Sequence, residues 1–160
     1  MKMTDSEKLP PVEDFVPVEI RLTLSYSAGQ TASRFFATLR DDCQIMGTKC
    51  PQCGRVLVPA RQFCSNCFVA TADWIEVGPG GNLVSYTAVH HHQPHHPKEV
   101  PFAYVIMRLD GADTNFVHLL GECEIDKVHD GMRLEAVFAE NRQGGILDIA
   151  YFRPTKEERY

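Results

Sequence analysis

The chain has no long apolar run and none of the short motifs that mark the common enzyme classes. No stretch approaches the roughly 20 apolar residues that a membrane-spanning helix needs. Gly-x-Ser-x-Gly, a glycine-rich phosphate loop between a strand and a helix, and His-Glu-x-x-His are all absent. The usual signatures of acyl hydrolases, nucleotide-binding enzymes and zinc proteases are therefore missing. We predict a protein that does not span a membrane and has no catalytic activity of its own.

We also expect no secretory leader, because residues 1–10 are polar and charged. We therefore expect a reducing compartment, the cytoplasm, and no disulfide framework. Cys43 and Cys123 are predicted to be small buried hydrophobic residues. The alternative is a nucleophilic cysteine beside a histidine. Glu122 and Glu124 argue against it for Cys123, because flanking carboxylates raise the pKa of a thiol.

Basic residues are scarce in the larger part of the chain, although the net charge is only −5. Residues 75–160 contain thirteen acidic and eight basic side chains. Residues 43–74 contain three basic side chains, Lys49, Arg55 and Arg61, against the single acid Asp73. The acidic part has the wrong sign for a nucleic-acid surface.

Two Cys-x-x-Cys knuckles, separated by ten residues, carry the strongest signal in the chain: Cys50, Cys53, Cys64 and Cys67. Four thiolates complete a tetrahedral site and leave no open position, which is typical of structural zinc. Gly54 supplies the positive φ that such a turn needs. Iron is the chemical alternative, and unliganded thiols or a redox pair are the others. A redox site would need only one of the two pairs.

The chain divides by composition into five parts. Residues 1–30 form a proline-containing extended arm, either disordered or adding a strand to another surface, with a β-like run at 20–26. Residues 31–46 contain an amphipathic helix, with Thr31 or Ser33 as the N-cap. A zinc ribbon (47–73), a β barrel (74–154) and a charged tail (155–160) follow. The helix has one apolar face, predicted to pack on the ribbon or, alternatively, to bind a partner: Ala32, Phe35, Phe36 and Leu39.

The hydrophobic period changes to two after the second knuckle. Strands are predicted at 83–90, 102–109, 115–120, 132–138 and 146–152, with a short helical or irregular connection over 122–130. Five strands with an extra connection after the third favour an oligonucleotide/oligosaccharide-binding (OB) barrel over a seven-stranded sandwich. Trp74 is predicted near the junction of ribbon and barrel. The predicted barrel interior includes Val105, Met107, Phe116, Leu134 and Phe138.

The histidine-rich run at 90–96 lies in the predicted loop after the first barrel strand. Its two prolines break any regular ligand spacing, so we predict a solvated loop, with metal or partner binding as the alternative. An OB barrel that binds single strands needs aromatic platforms among basic residues. The aromatic residues of the strands, such as Tyr86 and Tyr104, are instead predicted to lie in the core.

The order of these parts resembles the zinc-ribbon/OB-fold family of acyl-CoA-associated proteins that was long classed as a domain of unknown function and whose members occur beside thiolases. The resemblance covers about residues 31–154. A mild departure is Pro59-Ala60, where the family usually has two prolines before the arginine. The matching residues are Ser33-Arg-Phe-Phe36, Gly47-Thr-Lys-Cys-Pro-Gln-Cys-Gly-Arg55, Val58-Pro-Ala-Arg61, Phe63-Cys64, Cys67, Trp74-Ile-Glu-Val77, Val84-Ser-Tyr-Thr87, Pro101-Phe102, Leu109-Asp-Gly111, Gly131-Met132 and Tyr151-Phe-Arg-Pro154.

The resemblance implies a non-catalytic accessory subunit that docks on a thiolase-fold enzyme and helps to form or cover its acyl-CoA site. Thiolases, acyl-CoA synthase relatives and steroid side-chain aldolases are the implied partners. Arg55 and Arg61, with Lys49, would be the contacts for the CoA phosphates, because a guanidinium can hold phosphate through two hydrogen bonds. The alternative is that these arginines only brace the ribbon. Single-stranded nucleic-acid binding is the alternative function.

Overall fold

A computed structural model describes Ile20 and residues 22–156. Most of the predicted arm and the tail from residue 157 onward lie outside this range, and residues 22–28 form no helix or strand. Within the described residues, no helix is long and apolar enough to cross a membrane. The elements are α1 (Gly29–Asp42), β1 (Ile45–Lys49), β2 (Val56–Leu57), β3 (Asp73–Val77), β4 (Gly80–Val89), β5 (Phe102–Leu109), β6 (Asn115–Leu119), β7 (Arg133–Phe138) and β8 (Ile149–Pro154).

Helix α1 begins earlier than predicted, because its start does not use a side-chain cap from Thr31 or Ser33. The N-cap is Ala28, and the Ser27 hydroxyl accepts the Gly29 N–H at 3.3 Å. The helix ends at Asp42, and its C-cap residue Cys43 has the left-handed φ of 56° common at helix C-termini. Ile45 and Met46, which the predicted range of 31–46 includes, already belong to β1.

The ribbon is built on a three-stranded antiparallel sheet in the order β2-β1-β3. Strand β3 contains Trp74 and pairs with β1, so this residue lies on the ribbon sheet opposite Thr48. The predicted barrel range of 74–154 therefore begins inside the ribbon sheet. Gly47 in β1 has no room for a side chain, because a Cβ there would lie 2.8 Å from Val56 Cγ1 and 3.0 Å from the Leu57 carbonyl oxygen.

The five-stranded sheet has the order β6-β5-β4-β7-β8, with all neighbouring pairs antiparallel. A parallel bridge between Leu120 and Phe152 joins the two outer strands and closes the barrel. The Gly121 N–H donates to the Phe152 carbonyl at 2.8 Å at the same seam. This is the predicted OB barrel, and a short 3₁₀ turn at Ile125–Lys127 occupies the predicted connection after the third barrel strand.

Helix, ribbon and barrel share one hydrophobic core. Phe35 and Leu39 of α1 are buried in it together with Ile45 of β1 and the inner residues of the barrel. Phe36 and Trp74 are partly buried against the same cluster. Phe35 is therefore a core residue, and Phe36 packs against the core while it remains partly exposed. Four of the five predicted interior residues, Val105, Met107, Phe116 and Leu134, are buried, whereas Phe138 is only half-buried.

Backbone hydrogen bonds also attach the ribbon to the barrel. Val56 donates its N–H to Asp113 Oδ2 at 2.8 Å and accepts from the Asp113 N–H at 2.9 Å. Val58 donates to Thr114 Oγ1 at 2.8 Å, and the same hydroxyl donates to the Val58 carbonyl at 3.0 Å. The turn between β5 and β6 therefore holds the ribbon in a defined position on the barrel.

Candidate metal site

The four cysteine sulfurs of the two knuckles lie within 4.8 Å of one another. Cys53 Sγ and Cys64 Sγ, one from each knuckle, are 3.8 Å apart. An ion with metal–sulfur bonds of about 2.3 Å at the centre of a regular tetrahedron has sulfur–sulfur edges of about 3.8 Å. The two knuckles therefore bring all four sulfurs close enough for one ion to bind them, and the Cys53–Cys64 pair already has the tetrahedral spacing.

The two knuckles have the same backbone turn, although their sequences differ. In the first, Gly54 has a φ of 73° and donates its N–H to the Cys50 carbonyl at 2.9 Å. In the second, Phe68 has a φ of 57° and donates to the Cys64 carbonyl at 2.9 Å. The glycine was predictable from the sequence, whereas a phenylalanine in a left-handed conformation was not, because few side chains adopt it. The conformation of the second turn therefore depends on the surrounding structure and not on the residue type at position 68.

The protein environment shifts the pKa values of two of the thiols in opposite directions. Backbone N–H groups of Asn66 and Cys67 lower the pKa of Cys64 to about 7. Burial, and then the neighbouring Cys53, raise the pKa of Cys67 to about 12. Cys50 and Cys64 are almost completely buried. Four thiolates at this spacing repel one another unless a cation lies between them, and a thiolate donor set of this kind fits zinc or iron.

Residues 40–71 match the rubredoxin-like zinc ribbon domain of ChsH2, and residues 74–139 match the C-terminal OB-fold domain of ChsH2. The chain belongs to this zinc-ribbon/OB-fold family. Its four clustered cysteines are the metal site of the ribbon. The family predicted from the sequence is thereby confirmed, as is the fold class.

Relatives of known name or structure cover most of the chain. A "DUF35 domain-containing scaffold protein" of Methanocaldococcus jannaschii is 28% identical over 115 residues, 69% of this chain and 81% of that protein. The crystal structure of a DUF35 protein of unknown function from Sulfolobus solfataricus matches with a TM-score of 0.60 and 21% identity, over 79% of this chain and 87% of that one. A chain of the Ltp2-ChsH2(DUF35) aldolase matches with a TM-score of 0.60 and 22% identity, over 81% and 98%. The two structures establish a shared fold.

The three basic residues of the ribbon are all exposed. The Arg55 guanidinium donates to the Asp113 carbonyl at 3.3 Å, so it takes part in the attachment of ribbon to barrel. Arg61 is fixed by its backbone, since its N–H donates to Thr48 Oγ1 at 2.9 Å and its carbonyl accepts from the same hydroxyl at 2.8 Å. Lys49 ends β1. The contact of Arg55 with Asp113 supports the alternative that this arginine braces the ribbon. The side chain of Arg61 is exposed to solvent.

The other residues singled out in the sequence lie away from the metal site. The histidine run forms an exposed loop after β4, although His96 is half-buried with its ring 5.2 Å from that of Phe102. Cys43 caps α1, and burial raises the pKa of the half-buried Cys123 thiol, which disfavours the thiolate needed by a nucleophile. The buried His118 was not predicted, although it lies two residues after Phe116 and therefore on the same inner face of β6.

The outer face of the barrel carries an apolar groove of about 410 Å³. Tyr86 and Tyr104 line it, so the prediction that these tyrosines lie in the core is wrong. No charged side chain is among the groove residues, whereas a single-strand-binding groove needs basic residues along it. The lining residues are Ser85, Tyr86, Thr87, Tyr104, Ile106 and Val117.

Proposed function

We propose that this chain is a non-catalytic accessory subunit that docks on a thiolase-fold acyl-CoA enzyme and helps to form or cover its acyl-CoA site. The family match over both the ribbon and the barrel carries the proposal. Two relatives bear names that agree with it, one as a scaffold protein and one as part of an aldolase complex. In a cytoplasmic setting the thiolates of the ribbon would stay reduced.

The metal in this proposal is one structural Zn²⁺ held by Cys50, Cys53, Cys64 and Cys67. Zinc bound by four thiolates has no position for a substrate or water, so it supplies folding energy rather than Lewis-acid chemistry. The spacing of the sulfurs and the N–H groups directed at Cys64 support the assignment. The four cysteines would hold the two knuckles of the ribbon together around the ion. Val56 and Val58 attach the ribbon to the barrel.

The acyl-CoA part of the proposal assigns Arg61, with Lys49 and Arg55, to the phosphates of CoA. These three side chains make the ribbon the basic part of an otherwise acidic chain. Arg61 supports the assignment best, because its backbone is held by Thr48 while its side chain is exposed. Arg55 has a bracing contact with Asp113 as well, and therefore contributes to both roles.

Co-purification with a thiolase-fold acyl-CoA enzyme from the same organism tests the docking. We expect a stable complex, and no turnover of acyl-CoA by this chain alone. Robust activity without a partner, lost on Cys43 or Cys123 substitution, would overturn the non-catalytic assignment. Failure to bind the enzyme would overturn the docking.

The CoA contacts are tested in the assembled complex with Arg61→Ala and with Arg55→Ala/Arg61→Ala. We expect acyl-CoA to bind about tenfold more weakly to the double variant, as for loss of a charge-assisted hydrogen bond. Arg108→Ala/Lys156→Ala removes the same charge from exposed positions outside the ribbon and should leave the affinity within about threefold of the unmodified complex, as expected for screened charges. An equal effect of both pairs would show that net charge, and not the ribbon, is responsible.

A further inference from the structure

The segment that precedes α1 carries a row of exposed apolar side chains. Ile20, Leu22, Leu24 and Tyr26 are 75%, 76%, 64% and 84% exposed. They alternate with the polar Arg21, Thr23 and Ser25 in the sequence, which is the period of a β-strand with one apolar face. We call residues 20–26 the apolar strand segment.

This segment has no place in either sheet of the described chain. Residues 22–28 form no strand, and none of residues 22–26 takes part in the backbone hydrogen bonds outside helices and strands. A β-strand needs a neighbouring strand for its N–H and C=O groups and an apolar surface for one of its faces. The described part of the molecule supplies this segment with neither.

The position of α1 determines where the segment leaves the molecule. Arg34, in the first half of the helix, lies over the Trp74 ring at 4.3 Å, and Trp74 pairs with Thr48 in the ribbon sheet. The segment therefore leads into a helix that contacts the ribbon within two turns of its start. Extended, its seven residues span about 23 Å. A partner that covers the ribbon, as the proposed function requires, is thus within reach of the segment.

We infer that the apolar strand segment docks on the thiolase-fold partner by adding a strand to an open sheet edge, with Ile20, Leu22, Leu24 and Tyr26 packed against apolar side chains beside that edge. The inference rests on the proposed function and adds to it the element that binds. Strand addition satisfies both needs of the segment, since the edge pairs with its backbone and the adjacent surface covers its apolar face.

Two double substitutions on opposite faces of the segment test the inference. Leu22→Asp/Leu24→Asp places two charges on the apolar face, and Thr23→Asp/Ser25→Asp places the same two charges on the polar face. Affinity for the thiolase-fold enzyme used in the docking test is measured with the full-length proteins. We expect the first variant to bind about thirtyfold more weakly, as for loss of interface hot spots, and the second to stay within about threefold. Metal content and thermal stability should match the unmodified chain in both.

Amide hydrogen exchange gives a second readout. On complex formation, N–H groups within residues 22–26 should exchange more slowly, because strand addition engages the backbone. Equal affinities for both variants and unchanged exchange would overturn the inference and leave the docking proposal standing. Absence of binding by the unmodified chain would overturn both. If the unmodified chain instead forms dimers that only the apolar-face variant loses, a second copy is the occupant and the inference is wrong.

Discussion

At the seam of the barrel, the ring of Tyr151 occupies the space that a side chain at Gly121 would need. The backbone cannot shift away easily, because the Gly121 N–H is bonded to the Phe152 carbonyl at 2.8 Å. We expect Gly121→Ala to lower the free energy of unfolding by about 1–3 kcal/mol, the usual cost of overpacking. Urea unfolding measures this.

Gly145→Ala is the matched control for that substitution. A Cβ at Gly145 would meet no atom within 4 Å, and its φ of −130° suits any residue. Its stability should stay within about 0.5 kcal/mol of the unmodified protein, as for most surface substitutions. If Gly121→Ala lost as little stability as this control, the ring of Tyr151 would have to move aside to make room for the new side chain.

His118 is a buried titratable residue that sequence reasoning missed. Its Nε2 lies 3.1 Å from the Ile146 carbonyl, so this nitrogen carries the proton that is donated, and Nδ1 has no hydrogen-bond partner in the described structure. The ring lies against Phe116 and Phe152. Burial is the main cause that lowers the pKa of His118. The folded protein therefore favours the neutral imidazole.

The lowered pKa predicts a loss of stability in acid. As the pH falls below the unfolded-state pKa of about 6.5, the unfolded chain takes up a proton at this position and the folded chain does not. The contribution of His118 is complete above that pH and is lost as the pH falls toward the folded-state pKa. Between pH 7 and pH 5, the free energy of unfolding should fall more for the unmodified protein than for His118→Leu. Parallel pH profiles would contradict this.

At the scale of elements, the ribbon has few apolar residues of its own, and we expect it to depend on the proposed metal ion. Its separate buried cluster consists of Cys50, Leu57 and Cys64. Cys64→Ser should abolish tight binding of one metal ion and unfold the knuckles, since structural zinc contributes on the order of 10 kcal/mol in isolated fingers. Metal analysis and thermal unfolding measure both effects. A strong iron–thiolate absorption band in the unmodified protein would show that the bound metal is iron and not zinc.

Cys43→Asn serves as the control for the ribbon. Position 43 has a left-handed backbone at the end of α1, which asparagine tolerates. The variant should retain one metal ion per chain. Loss of metal from it would mean that thiols outside the two knuckles take part in binding.

Among the strands, the residue pattern located some elements closely and others less well. Strand β5 has the predicted bounds of 102–109, because it is a nearly continuous apolar run that ends at the turn Asp110-Gly111. The last strand begins at Ile149 instead of 146, because Asp148 holds a turn before it. Its buried carboxylate accepts the N–H groups of Gln143, Gly144 and Gly145 at 2.8, 2.7 and 3.2 Å. Such hydrogen bonds from a side chain to the nearby backbone favour a turn over a strand. The pattern of apolar residues in the sequence gives no information about them.

At the scale of the whole molecule, ribbon and barrel should unfold together. They share one hydrophobic core and the bonds from Val56 and Val58 to the turn between β5 and β6. The single tryptophan, Trp74, lies where the helix, ribbon and core meet. We expect its fluorescence and the far-ultraviolet circular dichroism to follow one thermal transition, and chelation of the metal to shift both. Two separate transitions would show independent modules.

The sequence alone determined the metal ligands that we propose, the class of each module and the order of the modules. These follow from local rules: thiolate pairs at a fixed spacing, a helical apolar face and strands of period two. The family resemblance came from the same residues, and the matches to the ChsH2 ribbon and OB-fold domains confirm it.

Only the tertiary structure decided how these parts combine. The pairing of β3 with β1, the bracing contact of Arg55 with Asp113, the burial of Phe35 and His118, and the exposed groove beside Tyr104 all depend on residues far apart in the chain. An alternating pattern shows that a strand has two faces, but which face is covered depends on the elements packed against it. That is why the sequence predicts the parts of this protein and the structure assigns their surfaces.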